Sequence, residues 1–170
     1  MRRFTLMSLS LALFCTIGVP VRHAQAEDET VFSLYPIGVV KKHDKKTEIV
    51  VDQKQAPGLL GLDGFSHVIV FYWFDKNDTP QKRSVLQVHP RGNKQNPLTG
   101  VFATRSPARP NLVAMSVCKI LSVKGNVIEV DTIDAFADSP VLDLKPYIPK
   151  LDLRTDATVP AWVMKMRKKK

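Results

Sequence analysis

Beyond residue 30 the apolar positions fall mostly at every second residue, and glycine, proline or polar clusters interrupt them at short intervals. That period belongs to half-buried strands rather than to helices. Strands are predicted over 31–40 (VFSLYPIGVV), 47–52 (TEIVVD), 67–74 (HVIVFYWF), 84–89, 100–104, 114–123 and 127–132, all rich in β-branched or aromatic residues. Lys124-Gly125-Asn126 predicts a tight hairpin between the last two, and 75–82 (DKNDTPQK) a polar loop. In VLDLKPY (141–147) alternation puts Asp143, Lys145 and Tyr147 on one strand face, where Asp143 and Lys145 suit an ion pair. Segment 67–74 is apolar on both faces, so it predicts a central strand with one face in the core and the other under a cover, such as a partner subunit. Short strands with hairpin-length connections and few windows of helical period predict a mainly β fold, an antiparallel sheet closed into a barrel or sandwich. From Pro146 onward the chain turns Pro-rich and charged, an irregular extension rather than a second domain.

The two ends change the picture. Residues 1–26 run through two arginines, an apolar stretch from Leu6 to Val19, and the small-residue exit Ala24-Gln25-Ala26. This is the order of a secretory signal peptide cleaved after Ala26, and the apolar stretch is short of the roughly 20 residues of a membrane span. Phe14 before Cys15 is too bulky for a lipoprotein site. The expectation is an exported protein, periplasmic or secreted, with a barrel domain over 27–150 and a C-terminal extension over 151–170. The formal charge is +9. Three of the 25 basic residues (Arg2, Arg3, Arg22) lie in the signal and five in the closing KMRKKK, leaving 17 bases against 16 acids in the body. The Lys-rich tail suits contact with polyanions or a solubilising end. After cleavage Cys118 is the sole cysteine, in the alternating AMSVCKILSV, and points to a buried thiol.

Candidate chemistry concentrates in HPRGNKQNPLTGVFATRSPARPN (89–111). Pro107 and Pro110 fix their own φ and push Ser106 and Arg109 away from helical geometry, so RSPARPN is held extended with little freedom to lose. Arg105 and Arg109, with Arg91 near by, can present planar donor forks to a carboxylate or phosphate. Alternatively, the prolines stiffen a barrel edge and the arginines pair with Asp131, Asp134 or Asp143. His43 sits in a charged loop and His67 and His89 lack metal-ligand spacing, so no metal is expected. There is no Cys pair, phosphate-cradling glycine loop or nucleophile elbow, which leaves hydrolase and kinase readings unsupported.

YPIGVV (35–40), GLDGFSHVIVFYWF (61–74), VHPRGN (88–93), GVFATRSPARPN (100–111) and SPVLDLKPYIP (139–149) together resemble the TsaA-like, TrmO-type family across about residues 34–150. The resemblance implies a small β-barrel that dimerises, binds S-adenosylmethionine and methylates the exocyclic amine of threonylcarbamoyl-modified adenosine in tRNA. Position by position it implies cofactor contacts at Arg105, Ser106, Arg109, Asn111 and Met115 and at the strand end Asp131, Thr132, Ile133 and Asp134. Asp143, Lys145 and Tyr147 match the family's DIKPY; no general base is identified, with Asp143 the candidate and Asp134 the alternative. Some positions depart from the pattern: KKHDKK runs almost directly into TEIVVD where typical members carry a cofactor-touching insert. RPNLVA and Ala137-Asp138-Ser139-Pro140 also differ from the family's wording. With the signal peptide, these departures favour a second reading, an exported non-catalytic barrel that binds an anionic small molecule or a protein partner; tRNA is a partner only for a cytoplasmic chain.

Overall fold

A computed structural model describes residues 31–44 and 46–166. Residues 1–30, with the expected signal segment, Lys45 and residues 167–170, with most of the Lys-rich tail, lie outside the described residues. Among the described residues eight strands form: β1 (Gly38–His43), β2 (Lys46–Val51), β3 (His67–Trp73), β4 (Gln87–Val88), β5 (Thr99–Gly100), β6 (Val113–Lys124), β7 (Val127–Val130) and β8 (Pro140–Pro146). Three short helices, α1 (Pro80–Arg83), α2 (Pro149–Asp152) and α3 (Ala161–Met166), complete the elements used below. Six strands close into an antiparallel barrel in the order β1-β2-β7-β6-β3-β8, and β4 and β5 pair as a separate ribbon.

Alternation explains the barrel. Val68, Val70 and Tyr72 of β3 point inward and are buried, as are Val40, Ile49, Val51, Cys118, Ile128, Val130 and Val141 from the other strands. Their packing is the core. Past His67 the outward residues of β3 are apolar too, as the sequence predicts for a central strand: Ile69 faces Val117 and Phe71 faces Met115 across to β6. The long β6 serves two neighbours, pairing with β3 through Lys119 and with β7 from Ile120 on, where a register shift falls between Ile120 and Ser122. Gly125, at φ 58°, turns β6 into β7 where the hairpin is predicted.

Several boundaries differ from those predicted. The first strand begins at Gly38 rather than residue 31; the segment before it carries Pro36 and exposes Leu34 and Tyr35. It then continues through Lys41–His43, because Lys41 pairs with Glu48 and Lys42 with Thr47 on β2. The β1–β2 connection is only two residues long, with Asp44 at φ 46°, so no insert lies between them. Segment 84–89 contributes only Gln87–Val88, and 100–104 only Thr99–Gly100 before a 3-10 turn over Val101–Ala103. The polar loop at 75–82 is partly helical: Thr79 caps α1 by accepting from Lys82 N at 3.2 Å.

Candidate functional site

The arginine loop is held from both sides. Val101 and Leu112 are fully buried and fix its ends. Between them the Thr104 hydroxyl donates to Val101 O at 2.9 Å and accepts from Ser106 N at 3.2 Å, while the Ser106 hydroxyl accepts from Ala108 N at 3.2 Å. These side chain to backbone turns replace the sheet ladder that the prolines forbid. From below, Arg83 donates to Pro110 O at 3.1 Å, its guanidinium also gripping Asp78 at 2.7 Å and lying over the Trp73 ring. Arg83 and the Trp73 indole N–H hold the Asp78 carboxyl below the usual carboxylate range.

A second turn faces the same space. His89 Nδ1 and Asn96 O lie 2.8 Å apart, and Asn96 Nδ2 donates to Pro90 O at 2.9 Å. Arg91 and Gly92 both adopt positive φ, 58° and 65°. For Arg91 that conformation costs about 1–2 kcal/mol, a strain often stored at functional sites.

The two turns line one open cleft of about 1180 Å³, which also takes in Asp134, Phe102 and, from the C-terminal extension, Trp162 and Val163. Its charged side chains are Arg91, Lys94 and Arg105 against Asp134, so the cleft is cationic. Among the described residues, Arg91, Arg105 and Arg109 form no ion pair with Asp131, Asp134 or Asp143; the ion pairs there are Lys41–Asp138, Arg83–Asp78 and Lys145–Asp143. That removes the barrel-capping alternative and leaves the Arg91 and Arg105 guanidinium groups available to an anion.

The strand end is fixed through the core. Tyr72 reaches up from the barrel interior and donates its hydroxyl to Asp134 O at 2.6 Å. Burial pushes its phenol above the ordinary value, and Arg105 is near enough to act on it in the opposite sense. Asp131 Oδ1 accepts from Lys119 N at 2.9 Å and Thr132 N at 2.7 Å, ending β7. Ile133 is buried in the core, and its carbonyl accepts from Lys42 Nζ at 3.0 Å.

Of the residues singled out in the sequence, Arg105, Ser106 and Asp134 therefore share a cleft with Arg91. Arg109 and Asn111 lie further along the loop and Met115 on the outer sheet face beside Phe71; none of them lines this cleft. Asp143 lines a different, mostly apolar cleft of about 690 Å³ with Gln55, Leu60 and Phe65, and it pairs with Lys145 at 2.8 Å. Alternation alone missed Tyr72, which it places in the core, and Trp162, which carries no periodic signal.

The sequence model for the tRNA-methyltransferase O N-terminal domain matches residues 32–153. The chain belongs to the TrmO family. A probable S-adenosyl-L-methionine-binding protein of Methanocaldococcus jannaschii is 44% identical over 122 residues, 72% of this chain and 97% of that protein. The human tRNA (adenine(37)-N6)-methyltransferase is 43% identical over 94 residues, 55% of this chain and 21% of the human protein. The crystal structure of TrmO from Pseudomonas aeruginosa superposes with a TM-score of 0.59 at 25% identity, covering 76% of this chain and 62% of that one. The chain thus spans less than two thirds of that TrmO and about a fifth of the human enzyme. Within this TrmO-family chain, α3 falls beyond the matched residues.

Proposed function

We propose that this TrmO-family protein is an S-adenosylmethionine-dependent methyltransferase whose acceptor is the exocyclic amine of an adenosine in tRNA, in the threonylcarbamoyl-modified form. The observation that carries the reading is the cationic cleft in which Arg105, Ser106 and Asp134 meet on a TrmO-type barrel. The cleft fits the cofactor: its volume exceeds the several hundred Å³ typical of small-molecule sites, and Arg105 has a free donor fork for a carboxylate. The cofactor supplies an activated methyl on a sulfonium. The chain's part is positional: Arg105 orients the cofactor, the Tyr72-anchored strand end fixes Asp134, and a site without a nucleophile suffices because alignment lowers the barrier. As the amine attacks, it acquires positive charge and sheds a proton. Asp134 is the carboxylate in that cleft, and we assign it the proton-accepting role in place of Asp143. Arg91 and Lys94 supply charge for RNA phosphates.

We further propose a homodimer through the outer face of β3 and β6, where Met115, Val117 and Leu121 are exposed beside Ile69 and Phe71. Residues 1–26 we read as an export signal. Secretion of a reporter fused to residues 1–30 would place the chain away from tRNA and support the exported binding-protein reading; retention would leave tRNA as the acceptor.

The test is calorimetric titration with S-adenosylmethionine on the protein and on Arg105→Ala. Losing a hydrogen bond to a charged group weakens binding by about 1.5–3 kcal/mol. Absence of binding by the folded protein refutes the reading. With binding established, incubation with tRNA should add one methyl mass to adenosine, detectable by mass spectrometry of the digested RNA.

A further inference from the structure

The matched family domain ends at residue 153, yet the chain continues into α3, and α3 returns to the cleft. Residues 153–161 are exposed throughout, whereas Trp162 and Val163 are half-buried and line the cleft with Arg105, Ser106 and Asp134. Pro160 sets the start of the helix, with Val163 N donating to its carbonyl at 3.0 Å. That phase turns Trp162 and Val163 inward and leaves Ala161, Met164 and Lys165 in solvent. A second aromatic on the same cleft, Phe102, is 77% exposed. Large aromatic surface facing an open cleft is unfavourable in water and marks a place where a flat ring can bind.

Two occupancies of Trp162 are conceivable, a plug or a wall, and volume decides between them. With the indole in place the cleft still holds about 1180 Å³, above the roughly 300–1,000 Å³ of ordinary ligand sites. A plug would have consumed that space. The lining also has two chemical halves: a guanidinium suited to a carboxylate, and aromatic faces suited to a heterocycle.

We propose that the C-terminal extension, residues 154–166, completes the cofactor cleft, with the Trp162 indole stacking on the adenine ring of the bound cofactor. The inference rests on the methyltransferase reading above and adds to it a binding residue from outside the family domain. Trp162 then touches the cofactor, and Val163 seats the helix so that the indole stays at the cleft.

S-adenosylhomocysteine is the probe, because it carries the adenine and carboxylate and cannot turn over. Trp73 and Trp162 are the two tryptophans of the chain, so Trp73→Phe, a change outside the cleft, makes Trp162 the sole indole reporter. Titration of that variant is expected to shift or quench its emission with the calorimetric affinity. Stacking contacts of this kind typically contribute enough for Trp162→Ala to weaken binding about tenfold, and Trp162→Phe, which keeps a flat face, should lose less than about threefold. Circular dichroism of each variant should match the parent, since the barrel core does not include residue 162. Binding by the parent with unchanged affinity in Trp162→Ala and silent emission overturns the inference and leaves the methyltransferase reading standing. No binding by the parent overturns both.

Discussion

Removing one oxygen from Tyr72 tests how the barrel interior controls the cleft. The side chain is 3% exposed, and its hydroxyl lies 2.6 Å from the carbonyl of Asp134, sixty-two residues along. Tyr72→Phe keeps the ring, its edge-to-face contact with Phe74 and its packing, so the loss is confined to the hydroxyl, chiefly its bond to Asp134 O together with its interaction with Ser116. A neutral bond of this kind contributes about 0.5–1.5 kcal/mol, and an acceptor left without a partner adds to the cost. Because Asp134 is otherwise exposed and water can reach it, the total should stay near 1–2 kcal/mol. For a domain of this size that lowers Tm by roughly 3–8 °C. The same bond fixes the strand end lining the cleft, so affinity for S-adenosylhomocysteine should fall by a few fold while the overall fold is kept. Urea denaturation and calorimetry on one preparation read both quantities. Stability lost without any change in affinity would refute the claim that Tyr72 positions the cleft, and unchanged stability would refute the bond itself.

Gly38→Ala should destabilise by about 1–3 kcal/mol, the usual cost of overpacking, because a Cβ there would strike Val50 O and come within 2.8 Å of Val51 Cα; an unchanged denaturation midpoint would contradict that packing. Burial pushes the Cys118 thiol from its ordinary 9.0 to about 11, so it should resist iodoacetamide in the folded protein at pH 8 and react on unfolding. The unfolded thiol ionises first, so its contribution to stability is complete below pH 9 and is lost as pH rises toward 11, at most about 3 kcal/mol, a slope that Cys118→Ala should flatten in denaturation curves taken from pH 8 to 11. Arg91→Gly should leave stability unchanged or raise it by about 1 kcal/mol through relief of the positive φ, yet weaken RNA binding and reduce its salt slope by roughly one; a loss of stability would count against the strain argument.

Barrel strands were legible in the sequence where alternation ran for six residues or more, because one buried face imposes that period: β2, β3, β6 and β7 fall within one or two residues of their predicted bounds. The ribbon β4–β5 was not, since two-residue strands leave no period, and the predicted runs around them are set by proline and turn chemistry instead. Of the nine cofactor contacts the resemblance implied, Arg105, Ser106 and Asp134 meet in one cleft, while Arg109, Asn111, Met115, Asp131, Thr132 and Ile133 do not line it, and the closure of β8 against β3 places Asp143 in another. Parity put Tyr72 in the core correctly, but its partner at Asp134 depends on a long-range contact that no local pattern encodes. Trp162 was invisible for a different reason, lying in a six-residue helix whose inward phase is set only by the cleft it touches.

The barrel's seam sets an order of events. β1 meets β8 over two residue pairs, Gly38 with Val141 and Val39 with Pro140, partners about a hundred residues apart. Hairpins β1–β2 and β6–β7 can form as each emerges, but the ring cannot close until β8 has been made, because contacts across such separations carry the largest loop-closure entropy. Until then β1 and β3 both present open edges to any passing strand. A nascent chain therefore stays vulnerable to aggregation, and open to chaperones or a translocation machinery, for most of its synthesis, and the last strand made is the one that ends that window.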